Sequence, residues 1–255
     1  MSIVDAIILG IVEGVTEFLP VSSTGHLILA SHLFGIPQSS FLTTFEIAIQ
    51  LGAILAVVVL YFKSFFNFAV LKRLFVAFVP TALIGFVLYS VLKTYLLNSE
   101  MLVVVALALG GVALIAFELW HREDESATKE IEAIPYKDAF LIGLCQSVAI
   151  IPGVSRSAAT IVGGLFLGIS RIAIVEFSFL LAVPTMAAAT GYDLLKSAHL
   201  FSSDQFLTLA VGFVVSFIVA MLAIKFLLSY VRKHTFIPFG VYRIIIAVLF
   251  FLFII

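Results

Sequence analysis

Two carboxylates, three consecutive hydroxyls and an imidazole stand close together near the start of this chain, in Glu13-Gly14-Val15-Thr16-Glu17-Phe18-Leu19-Pro20-Val21-Ser22-Ser23-Thr24-Gly25-His26. Glu13 and Glu17 are four residues apart, so on a helix they share one face with Cβ atoms about 5–6 Å apart. Two carboxylates that close in a low dielectric do not both stay ionised unless one takes a proton or a cation bridges them. Oxygen-only ligands select a hard cation, Mg²⁺ or Ca²⁺, and Glu13 and Glu17 are the candidate metal ligands. The plainer alternative is a pair hydrogen-bonded to the surrounding protein or wetted by a cavity. Ser23, near Glu17, is the candidate nucleophile, because an alcohol needs an adjacent base; directly activated water is the competing attack. His26 titrates near ~6.5 when unperturbed and is a candidate general acid or base, or else a buried histidine bonded to a carbonyl.

A second cluster lies in Pro152-Gly153-Val154-Ser155-Arg156-Ser157-Ala158-Ala159-Thr160. Pro152-Gly153 breaks the chain, Ser155 can cap a new helix, and Arg156 follows at once. An arginine at a helix start amid hydroxyls is a good phosphate fork, since the planar guanidinium donates two parallel bonds. The first cluster has the same design: after the break at Pro20, Ser22 or Ser23 can cap a short helix whose free N–H groups attract an anion. In the bland alternative the hydroxyls satisfy backbone carbonyls and Arg156 neutralises a glutamate. Two glutamates against one arginine leave the site neutral or negative, so a bound diphosphate calls for a divalent cation to balance it.

These groups sit in an oily chain. Of 255 residues 63% are hydrophobic and 11% charged, with 26 Phe and a mean hydropathy of +1.25, whereas soluble domains carry about 25% charged residues. The composition excludes an ordinary soluble enzyme and specifies an integral membrane protein. A buried carboxylate there costs roughly 2.5–3.5 kcal/mol or more and is a functional-site candidate for that reason. The single cysteine, Cys145, excludes an internal disulfide and a thiolate metal cluster. Met1-Ser2-Ile3-Val4-Asp5 has no basic leader region, so no signal peptide is expected.

The elements that must hold the clusters follow from segment length. Asp5 to Leu19 and Leu27 to Ile36 are apolar but too short to span. Hinged at a polar turn, they predict a re-entrant hairpin, tolerated at membrane depth only where protein or a water-filled cavity satisfies the backbone. Spans are predicted at about 41–62, 74–92 and 100–120, then a hydrophilic loop over His121 to Asp138. The design then repeats at a constant offset of 133 residues: Asp138-Ala139 on Asp5-Ala6, Gly143 on Gly10, Gln146 on Glu13, and Ser155-Arg156-Ser157 on Ser22-Ser23-Thr24. Three more spans are predicted at about 173–195, 206–229 and 238–255.

The expected fold is an all-α polytopic membrane protein in one domain, 1–255, with half one at 1–120, a loop at 121–137 and half two at 138–255. Each half is one re-entrant helical hairpin plus three transmembrane helices, about six full spans in all. Three is odd, so the second half enters from the opposite side and the repeat is of inverted topology, which places sites at the midplane between halves. Putting loops 63–73, 121–138, 168–172 and 225–234 inside leaves only Lys93 and Lys196 on the outer loops, as the positive-inside rule requires. Both termini and the first hairpin's entry are then outside.

The two clusters closely resemble the signature motifs of bacterial undecaprenyl-pyrophosphate phosphatases of the bacitracin-resistance type. Thr44-Phe45-Glu46 through Gln50-Leu51-Gly52, Glu176 through Pro184, and Phe236 through Arg243 look similar too, so the resemblance covers essentially the whole chain. It implies hydrolysis of the C55 polyprenyl diphosphate to the monophosphate carrier used for peptidoglycan, with bacitracin resistance. By motif position it implies Glu13, Glu17, Ser23, His26 and Arg156 in catalysis, with Ser155, Ser157 and Thr160 as phosphate contacts; Ser22 and Thr24, on either side of Ser23, are further candidate substrate contacts. Ala158 departs from the glycine common in relatives and removes no reactive group. The cofactor expected from the charge sum above is Mg²⁺ or Ca²⁺. The implied partners are the polyprenyl diphosphate lipid and the bilayer, with no nucleic acid and a homodimer left open. The implied place is the bacterial inner membrane, with the active site toward the periplasm or outer surface.

Inverted repeats with broken helices are also transporter architecture, so a polyprenyl-phosphate flippase or anion transporter is the rival reading. Outside the motifs, Glu46 and Glu176 are expected to hydrogen-bond between the halves, with Arg243 pairing with one of them. His32, His121, His199 and His234 are expected to be ordinary residues near segment ends.

Overall fold

The computed structural model describes residues 1–91, 99–122, 126–197 and 205–253, with side chains described except at 89–91 and 192–197. Lys93 and His199 lie outside the described residues, as do the predicted ends of two spans, at 92 and 254–255.

Ten α-helices follow one another in the described residues, with no strand beyond an isolated bridge between Thr128 and Ile169. The first pair is α1 (Ile3–Thr16) and α2 (Ser23–Leu33), broken between them at Pro20. Then come α3 (Ser40–Leu60), α4 (Phe68–Val91) and α5 (Glu100–Trp120). A second pair, α6 (Tyr136–Ser147) and α7 (Arg156–Phe166), precedes α8 (Arg171–Ser197), α9 (Phe206–Val231) and α10 (Ile237–Phe253). Helices α3, α4, α5, α8 and α9 are long and apolar enough to cross a bilayer. At 17 residues α10 is shorter, yet at the lower limit of what a spanning helix needs. The protein is a multi-pass membrane protein.

The offset seen in the sequence recurs in the helix bounds: α2 and α7 coincide exactly at 133 residues, and α5 and α10 end together at Trp120 and Phe253. The packing is crossed. Helix α1 lies against α9, and α6 lies against α4, so each hairpin rests on a long helix of the other half. Small residues permit both approaches. A Cβ on Gly10 would stand 2.8 Å from the Gly212 carbonyl oxygen, and one on its counterpart Gly143 would stand 2.7 Å from Pro80 Cγ and 2.8 Å from the Ala77 carbonyl carbon. Helices α5 and α10 pack on each other, and α3 packs on α8 and α9. The main core gathers Phe18 from the first hairpin with Ile161 and Leu165 from the second and Phe177 and Phe179 from α8.

The hydrophilic segment before α6 is more structured than a solvated loop. Thr128 exchanges backbone bonds with Gly168 and Ser170, and Ile131 and Ile134 are buried. Nearby, Glu118 at the end of α5 pairs with Arg171 at the start of α8 and accepts the Phe236 backbone N–H at 3.1 Å, tying three helix ends together.

Candidate active site

Both hairpins turn through a serine in the left-handed region, Ser22 at φ 72° and Ser155 at φ 71°. Only glycine adopts this region freely, so each turn carries strain. The expected caps divide: Ser155 Oγ accepts the Ala158 N–H at 3.2 Å, whereas Ser22 precedes α2 without a side-chain cap. Helix α1 closes with Glu17 still helical, at φ −63° and ψ −42°, so Glu13 and Glu17 keep the common face that their spacing predicts.

Glu17 is the junction of the site. Its Oε2 accepts the Ser23 hydroxyl at 2.5 Å and its Oε1 accepts Arg156 Nη2 at 2.8 Å. One carboxylate thus joins the hydroxyl of the first hairpin to the guanidinium of the second, across 139 residues of chain. The ion pair is buried, with side chains 12% and 8% exposed. Arg156 Nη1 donates to the Ser178 carbonyl at 2.9 Å, and the ring of Phe18 lies 5.8 Å from the guanidinium carbon. Its Nε is buried and unpartnered, a donor held ready at a cost of about 1–3 kcal/mol.

Glu13 is fully buried and neither carboxylate oxygen receives a hydrogen bond from a donor group, while the Glu17 carboxyl lies within hydrogen-bonding reach of it. Its charged neighbours are Glu17, Glu46 and Arg156. Glu46 therefore faces the first hairpin's carboxylates and makes no hydrogen bond between halves among the described residues. At the position matching Glu13, Gln146 donates to Thr81 Oγ1 at 2.9 Å and Thr185 Oγ1 at 3.1 Å, anchoring the second hairpin.

His26 stands apart from Ser23 and Glu17. Its Nδ1 is 2.7 Å from the Ser22 carbonyl, which only accepts, so Nδ1 carries the proton; its Nε2 is 2.8 Å from the Tyr242 hydroxyl. Ser157 and Thr160 are fully buried and bonded within the protein. Ser157 Oγ donates to the Leu19 carbonyl at 2.8 Å, and Thr160 Oγ1 meets Ser178 Oγ at 2.5 Å. Thr24 is exposed. The geometry thus brings Ser23, Glu17, Glu13 and Arg156 together, with Ser22 and Ser155 at the two turns.

Such an arrangement can deprotonate an alcohol beside a cation suited to an anion's oxygens. The description "Bacitracin resistance protein BacA" belongs to the family model that matches residues 6–249 of this chain. The chain belongs to that family. Among its relatives, the undecaprenyl-diphosphatase of Sulfurihydrogenibium sp. is 53% identical over 99% of both chains. That of Persephonella marina is 52% identical over 100% of both, and that of Aquifex aeolicus 48% identical over 96% of both.

Two participants were given no role by the sequence reading, Tyr242 and Ser178. Arg243 is a correction, since it pairs with neither Glu46 nor Glu176 and gives all its bonds to backbone carbonyls. Its one sequence signal is that the residue 133 positions earlier is Gly110.

Proposed function

We propose that the protein is a phosphatase that hydrolyses a C55 polyprenyl diphosphate to the monophosphate and inorganic phosphate. The observation that carries this is the shared carboxylate of Glu17, which holds the Ser23 hydroxyl and the Arg156 guanidinium on its two oxygens. The relatives' common name, undecaprenyl-diphosphatase, supports the same reading, and nothing in the site favours the carrier alternative.

The terminal phosphate sits between the two hairpin turns in this reading. Arg156 binds its oxygens, with Nε as the unused donor and the guanidinium offsetting charge that spreads over the transferring group. Glu17 takes the proton as Ser23 Oγ bonds to phosphorus; the bond from phosphorus to the bridging oxygen breaks and the lipid monophosphate leaves. Water then displaces Ser23 from phosphorus, with a proton returning to Ser23 Oγ. Direct attack by a water deprotonated by Glu17 gives the same products. The 2.5 Å contact favours the serine route. His26, bonded to Ser22 and Tyr242, orients the turn before Ser23.

The buried oxygens of Glu13, which receive no hydrogen bond from a donor group, fit a divalent cation, Mg²⁺ or Ca²⁺, held with Glu17. No group of three acidic, His or Cys side chains able to hold a metal occurs among the described residues, so the remaining ligands of such a cation would have to come from substrate phosphate and water. When bound, it would supply charge neutralisation for the diphosphate. The distribution of Lys and Arg supports an inverted repeat with Glu13 to His26 reached from the outer side, and the bacterial relatives support placement in the bacterial inner membrane.

Phosphate release from C55 diphosphate by purified protein, with and without EDTA, tests the function. Wild type is expected to release phosphate with added divalent cation and Ser23→Ala to lose nearly all of it. Folded wild type that binds the lipid but releases no phosphate under any cation would refute the reading.

A further inference from the structure

Arg243 is fully buried in α10, and each of its five N–H bonds has an acceptor. Nε donates to the Leu107 carbonyl at 3.3 Å and Nη2 to the Ala106 carbonyl at 3.1 Å, both on α5. The remaining three reach the turns of the two hairpins: Nη1 to Pro20 at 3.4 Å and Val154 at 3.0 Å, and Nη2 to Gly153 at 3.0 Å. Pro20 and Gly153 are matching positions at the 133-residue offset, and so are Gly110 and Arg243. A Cβ on Gly110 would stand 2.7 Å from Arg243 Cζ and nearer still to Nη2. One half supplies the arginine and the other supplies the empty space it needs, because two guanidinium groups cannot occupy one place.

An arginine buried without a carboxylate partner is costly, and backbone carbonyls opened by the hairpin breaks are costly as well. Each offsets the other here. We propose that Arg243 is a positioning residue that moors both hairpin turns to one guanidinium, so that Ser23 and Glu17 on one turn and Arg156 on the other are held in a single fixed register. It touches none of the reacting groups. Its effect on turnover rests on the phosphatase reading; the mooring itself does not. Misplacing a reacting group by about 1 Å can cost on the order of 100-fold in rate, so a loosened mooring lowers turnover while substrate still binds.

The test uses the full chain in detergent, as wild type, Arg243→Lys, Gly110→Ala and the double variant. Lysine keeps the charge and loses the fork; the Gly110 variant keeps every donor and displaces the guanidinium from the other side. Hydrogen exchange is followed in peptides covering 17–24 and 150–158, with phosphate release in parallel. Both single variants are expected to speed exchange at both turns. They should lower kcat by roughly 10- to 100-fold with KM within about threefold of wild type. The double variant should lose no more than the worse single, since both act on the same contact. Wild-type exchange in either single variant, faster exchange at one turn only, or additive losses in the double would overturn the proposal. Faster exchange at both turns in a protein whose wild type releases no phosphate would keep the mooring and refute the phosphatase.

Discussion

Glu17→Gln is the sharpest perturbation of the site, because it preserves shape and removes one property. Both carboxylate oxygens now accept, one from Ser23 at 2.5 Å and one from Arg156 at 2.8 Å. An amide has one acceptor and one donor. With its oxygen toward Arg156, its NH₂ meets Ser23, whose hydroxyl turns to accept and has no base to receive its proton. With the amide reversed, NH₂ faces Nη2 and two donors collide. Loss of a general base costs about 10²- to 10⁴-fold in rate, or roughly 3–5 kcal/mol of transition-state stabilisation. Arg156 loses its only carboxylate contact among the described residues, and a weakened charge-assisted bond adds about 1–3 kcal/mol of lost stability. The assay is steady-state phosphate release with thermal unfolding of the same sample. A folded Glu17→Gln protein turning over within tenfold of wild type would show that Glu17 is not the base.

Two further outcomes follow from the packing. Glu13→Gln replaces a carboxylate that receives no hydrogen bond from a donor group by a group cheaper to bury, so its unfolding temperature should equal or exceed wild type while half-maximal activation needs at least about tenfold more divalent cation; lower stability with an unchanged cation titration would refute this. Gly143→Ala sets a methyl against the Ala77 carbonyl and Pro80, where backbone cannot yield, and should cost about 1–3 kcal/mol of stability. Thermal unfolding equal to wild type would show that α6 and α4 can separate at no cost.

Much of the architecture was legible because hydropathy and helix breaks are local. Six apolar stretches predicted the long helices and α10 within a few residues, except that α4 begins at Phe68, six residues before the predicted 74 and inside the expected loop, since a helix satisfies its own backbone and its length is set by the bilayer. Pro20, Pro152 and Gly153 marked the turns. The 133-residue offset anticipated the matching bounds of α2 and α7. The segment before α6 looks solvated by sequence because its charges outweigh Ile131 and Ile134, whose burial depends on distant partners.

By itself the sequence determined the membrane class, the helices, the two broken pairs and the candidate reactive side chains, all of which depend on composition and spacing over a few tens of residues. Only the tertiary structure decided which of them meet. It assigned Ser23 and Arg156 to Glu17 and left Glu13 without a donor. It closed His26 between Ser22 and Tyr242, and it drew Ser157 and Thr160 into bonds within the protein. It also gave Arg243 to carbonyls of both turns instead of a glutamate. The physical reason is the crossed packing of each hairpin on the other half. The contacts that join the two hairpins, Glu17 to Arg156 and Ser157 to Leu19, link residues 139 and 138 positions apart, and with no water to satisfy a buried group, the geometry of that crossing selects those partners.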